Sequence, residues 1–358
     1  MAMAVTIKDI ARELGVAHST VSRAIHNDPR ISPETRSRVM EAVERLGYRP
    51  NVAARGLVSR RMQAIGLVIP VVADMFFGRI VDGVDRVTYE AGFGLSLYLT
   101  HAERRRELDA LAQVSEQRVD GLILMARRLP KAALLEIISQ KTPVVLLEPQ
   151  ILGLGIDSVR VDNRDGALQA TRHLLDLGHR RIAFVTGPKE SRENRERLQG
   201  YRDALASAGV AFDPALVVPG GYTEEAGATA VRQLFSLSAD SWPTAIFAYN
   251  DRVALGGIAA LQARGLAVPE DVSVVGYDDI ESAAYLRPAL TTVHQPIEEM
   301  GEAAARLLIE RLNRRRRSGS QEVLLKAELV VRESTARPPL APLTEARERP
   351  GSLAKTAG

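Results

Sequence analysis

The chain has no cysteine among its 358 residues. That excludes a disulfide framework and any thiolate metal site. Long apolar runs are missing as well. None approaches the ~20 residues that span a bilayer, and Lys8, Asp9, Arg12 and Glu13 interrupt the first segment before a leader-like apolar core can form. The expectation is a cytoplasmic protein with no membrane partner. Enzyme signatures are absent too: there is no GxSxG, no Walker loop, and no GxGxxG at a strand-to-helix turn. The adjacent Asp278 and Asp279 invite an acid/base or metal reading. Successive strand residues point to opposite faces, however, and no His or Glu cluster completes a ligand set. No catalytic activity, cofactor or metal is expected.

What is present is unevenly distributed. The net charge is only +3, yet residues 1–60 hold ten Lys/Arg against six Asp/Glu, while the remainder holds 37 against 38. The positive excess sits in the N-terminal sixth, as it does where a small module meets a polyanion. An apolar fraction of 46% leaves room for sizeable cores in two or three domains.

The first module reads as three short helices. In VTIKDIARELGVAHSTVSRAIH (5–26), Ile7, Ile10, Ala11 and Leu14 repeat at helical spacing and Gly15 supplies a turn. A second helix, His18 to Ile25, is expected to bury Val21 and Ile25. A third starts at Ser32-Pro33-Glu34, buries Val39, Val43 and Leu46, and stops at Gly47. With Val21 and Ile25 inward, His18, Ser19, Ser22 and Arg23 face outward, as in a helix laid in a major groove. Arg can pair bidentately with guanine, and Ser and His make more tolerant contacts. Thr6 and Ser32 at helix starts suit phosphate. The competing reading is a solvated bundle with no ligand. NVAARGL (51–57), capped by Asn51, has the length of one or two helical turns, too short to be stable alone.

From Ala64 the pattern alternates strands and helices. The segments 65–70, 94–99, 121–126 and 143–148 form one set of strand candidates, and 159–161, 181–186, 244–249 and 272–277 a second. Continuous apolar runs separated by amphipathic segments predict a doubly wound parallel α/β architecture in two lobes. A helix after Pro296, Ile297 to Leu312, is expected to return to the first lobe. Arg104–Arg106 and Arg314–Arg317 read as solvated loops. The Pro-rich tail, 338–358, is expected to be disordered.

The N-terminal stretch, ISPETRSRVMEAVERLGYRPNVAARGL, and the later blocks IGLVIP, RVDGLIL, HLLDLGHRRIAFVTGP, NDRVALGGIAAL, DVSVVGYDD and LTTVHQP strongly resemble the lac repressor/galactose repressor family of bacterial regulators. The resemblance covers nearly the whole chain. It implies a helix-turn-helix headpiece over 1–50, a hinge helix and linker over 51–61, and a two-lobed core over 62–337 similar to periplasmic sugar-binding proteins. It assigns His18 and Ser19 to the start of the recognition helix and Arg23 near its end. Ala53 and Arg55 would lie along the minor groove, with Leu57 as an apolar wedge at the operator centre. Ala17 departs from the family, which often has a capping Ser there. In the core, Phe76, Phe77, Arg197, Tyr222 and Asp278 match effector contacts. Asn250 stands at a strand end, where open α/β sheets bind ligands, and Gln295, Asp162 and Asn163 are weaker candidates. The function implied is a dimeric transcription regulator, most often a repressor. Its partners would be pseudo-palindromic double-stranded operator DNA and a small effector, a sugar by fold analogy. A transport-type sugar-binding protein sharing only the core fold is the alternative.

Overall fold

A computed structural model of the chain describes residues 5–25, 27–48, 62–116, 119–139, 142–236, 238–313 and 319–340. It divides into two compact units, residues 1–62 and 63–358. The expected hinge, the arginine run 314–317 and residues 341–358 of the tail lie outside the described residues.

The N-terminal unit holds α1 (Ile7–Leu14), α2 (His18–Ile25) and α3 (Pro33–Arg45). Gly15 ends α1 at φ 64°, a left-handed conformation that costs glycine little. Ser32 caps α3 by accepting from the Thr35 N–H at 3.2 Å, and Pro33 occupies the first helical position. The core is Ile10, Ala11, Val21, Ala24, Val39 and Ala42. Ile25 was expected inward but is half-buried, because Ala24, three residues after Val21, takes the inner position. Ala42 likewise displaces Val43 and Leu46 to the margin. Small residues at the inner positions bring three short helices close around a core of few side chains.

The larger unit contains two parallel sheets. The first joins β1 (Ala64–Ile69), β2 (Gly94–Leu99), β3 (Gly121–Leu124), β4 (Val144–Leu147), β5 (Asp157–Val161) and β11 (Glu322–Leu325) in the order β11-β5-β4-β3-β1-β2. Ile65, Leu67 and Ile69 pack toward α4 (Met75–Glu90) and α11 (Ile297–Leu312). Val68, Leu122 and Leu124 pack toward α5 (Arg104–Ser115) and α6 (Lys131–Ser139). Both faces are covered, which is why these strands read as unbroken apolar runs. The segment 159–161 was expected in the second lobe; it belongs to this sheet, where β5 pairs with β4 and β11.

The second sheet has β6 (Ile182–Thr186), β7 (Val217–Pro219), β8 (Ala245–Ala248) and β9 (Ser273–Val275), ordered β7-β6-β8-β9. Phe184 and Phe247 face α7 (Asn163–Asp176) and α8 (Arg192–Ser207). Val185 and Ile246 face α9 (Glu224–Leu234) and α10 (Asp251–Ala263). A short antiparallel pair, β10 (Thr292–His294) with β12 (Glu328–Val330), lies beside it. Between β10 and β12 the chain re-enters the first lobe through α11 and β11, and α11 packs on α4 so closely that a Cβ at Gly83 would collide with the Glu298 carbonyl.

Candidate functional site

In the N-terminal unit, α2 turns Val21 and Ala24 inward and leaves His18, Ser19 and Arg23 exposed, with Ser22 half-buried. Ala17 has no side chain to accept from the first turn of α2, so those N–H groups lack the usual cap. Thr6 is committed elsewhere: its N–H and hydroxyl both donate to Asp9 Oδ2, at 3.0 and 2.7 Å. Asn51, Ala53, Arg55 and Leu57 lie outside the described residues.

In the core, strand ends converge on a cavity of about 360 Å³. Its first wall comes from the segments after β1, β2, β3 and β4: Asp74, Phe76, Phe77, His101, Arg127 and Glu148. The second comes from α8 and from the ends of β7, β8, β9 and β10: Glu193, Arg197, Tyr222, Asn250, Arg252, Asp278 and Gln295. Both walls are the carboxyl edges of doubly wound sheets, where strand order reverses and loops part to leave a crevice. Of the nine core residues singled out from sequence, seven are brought to this one cavity; Asp162 and Asn163 do not line it.

Arg197 is buried between two aromatic faces, its guanidinium carbon 3.6 Å from the Tyr277 ring centroid and 4.6 Å from that of Tyr249. Its Nε donates to Asn163 Oδ1 at 2.9 Å and its Nη1 to the Tyr249 carbonyl. Nη2 stands 3.9 Å from Asp278 Oδ1. Gln295 Nε2 donates to the same Asp278 oxygen at 2.6 Å. Burial pushes the Asp278 carboxyl up to about 7, against the pull of Arg197 and Gln295. Asp278 and Asp279 both have positive φ, 114° and 55°. This loop sends Asp278 to the cavity and Asp279 to Arg332 and His294. Asp251 fixes the loop from beneath, accepting from Thr292 Oγ1 at 2.5 Å and Ile280 N–H at 2.8 Å. Burial and the neighbouring Asp278 raise the Asp251 carboxyl well above its ordinary range.

Other expected residues take supporting positions. Phe76 and Phe77 lie in the first turn of α4, in an edge-to-face pair at 5.3 Å. Asn250 lines the cavity but caps α10, accepting from the Val253 N–H at 2.9 Å, while its Nδ2 donates to the Tyr222 carbonyl at 3.3 Å. Asp162 caps α7 through Asp165.

Sequence reasoning overlooked Asp74, Arg127, Glu148, Glu193 and Arg252. Arg252 grips Glu224 with two nitrogens at 2.8 Å and reaches across the cleft to Asp74 at 3.0 Å. Arg192 holds Glu148 at 2.7 Å, and Arg127 holds Glu193 at 3.3 Å. Burial, reinforced by the charge of Glu193, pushes the Glu148 carboxyl up to about 7 despite Arg192. For Glu193 burial opposes ionisation, yet Arg127 and Gln150 hold its carboxyl below the ordinary value. A signal existed: Arg127 and Glu148 are charged residues directly after apolar strands, at the ligand-binding edge of an open sheet.

A helical module with an exposed polar second helix, together with a two-lobed core around a mixed apolar and charged cavity, defines a ligand-responsive DNA-binding regulator. Comparison with known proteins agrees. Residues 6–51 match the model for bacterial regulatory proteins of the lacI family, and residues 171–335 match a periplasmic binding protein-like domain. Catabolite control protein A of Priestia megaterium is 37% identical over 313 residues, covering 87% of this chain and 94% of that protein. The structure of a lac repressor dimer bound to operator and the anti-inducer ONPF superposes with a TM-score of 0.83 at 29% identity, over 93% of this chain and all of that one. A transcriptional regulator CelR–cellobiose complex matches at 35% identity and a TM-score of 0.70, over 92% and 99% of the two chains. The chain belongs to the lacI family of bacterial regulatory proteins: it is a transcriptional regulator, not an enzyme.

Proposed function

We propose that this regulator is a homodimeric repressor that reads a pseudo-palindromic operator and is controlled by a sugar bound between its core lobes. The headpiece is assigned to residues 1–50, the hinge and linker to 51–61, the core to 62–337 and the tail to 338–358. His18, Ser19, Ser22 and Arg23 read base edges, Asn51 sits at the phosphate backbone, and Thr6, its donors spent on Asp9, holds the start of α1 beside that backbone. Ala53 and Arg55 follow the minor groove while Leu57 wedges its floor. A two-fold dimer places two headpieces on two half-sites. The working compartment is the cytoplasm, with the protein on the nucleoid when DNA-bound.

The observation that carries the sugar reading is the Asp278–Arg197 pair facing the Phe76–Phe77 pair across one cavity. Asp278 Oδ2 has no bond among the described residues and accepts from a ring hydroxyl. Arg197 Nη2 donates to a neighbouring oxygen. The phenylalanines cover the apolar C–H face of the ring, and Tyr222, Asn250 and Gln295 complete the enclosure. The volume falls in the range of small-molecule sites. An effector that binds one lobe arrangement better than another changes operator affinity by that difference, typically 1–3 kcal/mol, or about 5- to 150-fold. The experiment is operator selection from random duplexes with the full-length protein, then anisotropy titrations with and without sugars. Selected sites with two-fold symmetry and a sugar-dependent affinity are expected. Asymmetric sites, or affinity indifferent to every sugar tested, would overturn the reading.

A further inference from the structure

We propose that the effector is a phosphorylated sugar, its ring in the inner cavity and its phosphate in a second, outer compartment of the cleft. This rests on the sugar reading above. The outer compartment measures about 520 Å³ and shares Ala102, Arg127 and Tyr222 with the inner one. Arg127, its guanidinium 5.3 Å from the Tyr222 ring centroid, stands at the join. Beyond it the wall carries Arg104 and Arg128, with Glu190 the one acid among the described residues that line it.

The two outer arginines differ from the rest of the cleft. Arg127 is tied to Glu193, whereas neither the Arg104 nor the Arg128 guanidinium has an ion-pair partner among the described residues. The backbone that carries Arg128 is nonetheless well fixed. Glu107, fully buried, accepts from the Arg127 and Arg128 N–H groups, each at 2.9 Å. Burying a carboxylate is costly unless it is satisfied, and here the satisfaction fixes the turn that presents Arg127 and Arg128. Arg104 opens α5. It is not in the solvated loop expected from sequence.

Hydrogen-bond inventory selects the occupant. Arginine is donor-only. A second sugar ring presents hydroxyls that both donate and accept, and an arginine-rich wall leaves its donors unpaired. A phosphate ester at neutral pH is nearly acceptor-only and doubly charged, and Arg forks match its oxygens.

The test is calorimetry on the full-length protein with pentoses and hexoses, each as free sugar and monophosphate ester, plus cellobiose and inorganic phosphate. The expected result is that one ester binds about 10- to 100-fold tighter than its parent sugar, the gain shrinking with salt. Arg104→Ala with Arg128→Ala should erase that gain and leave parent-sugar affinity unchanged, and Arg104→Lys with Arg128→Lys should restore part of it. Unchanged melting of the alanine variant separates this from misfolding. A parent sugar or cellobiose binding as tightly as any ester, with no effect of the alanine pair, overturns this inference and leaves the sugar reading standing. Binding of no sugar in either form overturns both.

Discussion

Replacing Asp278 by Asn should make the effector-free protein more stable, and increasingly so as pH rises. Burial lifts this carboxyl from its ordinary 3.8 to about 7. Between those values the folded protein holds a proton that the unfolded chain has lost, so stability falls as pH rises through the window. Below it the acid is neutral in both states and costs nothing. Above it the ionised, buried group carries the full penalty. One pKa unit is worth about 1.36 kcal/mol. From pH 5 to pH 8 this group alone therefore removes roughly 2–3 kcal/mol. Asn is isosteric and never ionises, so Asp278→Asn removes that slope. Asp251 moves the same way, because its own carboxyl is raised in part by the charge of Asp278. Glu148 also titrates near 7, but it is present in both proteins and cancels in the difference. The assay is urea unfolding of wild type and variant at pH 5 and pH 8. The variant's advantage should grow by about 2–3 kcal/mol between the two, while effector affinity drops because a hydroxyl acceptor is lost. An advantage independent of pH, or a variant less stable at pH 8, would refute the assignment of Asp278 as a destabilising acid kept for binding.

Arg23→Ala should weaken operator binding by about 1–3 kcal/mol and relax preference at one base per half-site, as loss of a bidentate contact does; equal loss on every sequence would make Arg23 a phosphate contact. Leu57→Ala should cut specific affinity far more than non-specific affinity, since only a kinked duplex accepts a wedge, and a circular-permutation bending assay should show a smaller bend. Glu107→Gln should lower the urea midpoint by an amount equivalent to about 1–3 kcal/mol, because an amide can accept from only one of the two N–H groups that the carboxylate holds; an unchanged midpoint would mean that the Arg127–Arg128 turn is held by something else.

Local patterns carried most of the architecture. Gly15, the Ser32-Pro33 start and the spacing of Ile10, Val21 and Val39 placed three helices, since caps and apolar periods act over a few residues. Unbroken runs such as 65–70 and 121–126 announced strands covered on both faces, because a buried parallel strand has no polar side to show. The membership of 157–161 in the first sheet was not legible. A five-residue strand carries no information about which distant strand it pairs with, and β11, its partner, arrives more than 150 residues later. The inward turn of Ala24 over Ile25 was equally hidden, since residues one apart differ by only 100° around a helix and packing against α1 and α3 chooses between them.

The site divides the same way. Sequence by itself singled out Phe76, Phe77, Arg197, Tyr222 and Asp278 through matched motifs, Asn250 by its place at a strand end and Gln295 as a weaker candidate, and it excluded thiolate and common catalytic chemistry by what the chain lacks. Only the tertiary structure decided which side chains remain open to a ligand. Asn250 is consumed in capping α10 and Asp251 in holding a loop, whereas Asp278 keeps an oxygen for the cavity. Only the structure set Arg127, Glu148 and Glu193 against partners from the opposite lobe. The physical reason is range: helix caps and apolar periods are written within one turn or one strand, while a residue's charge state and free valence depend on neighbours that the fold brings from tens to hundreds of positions away.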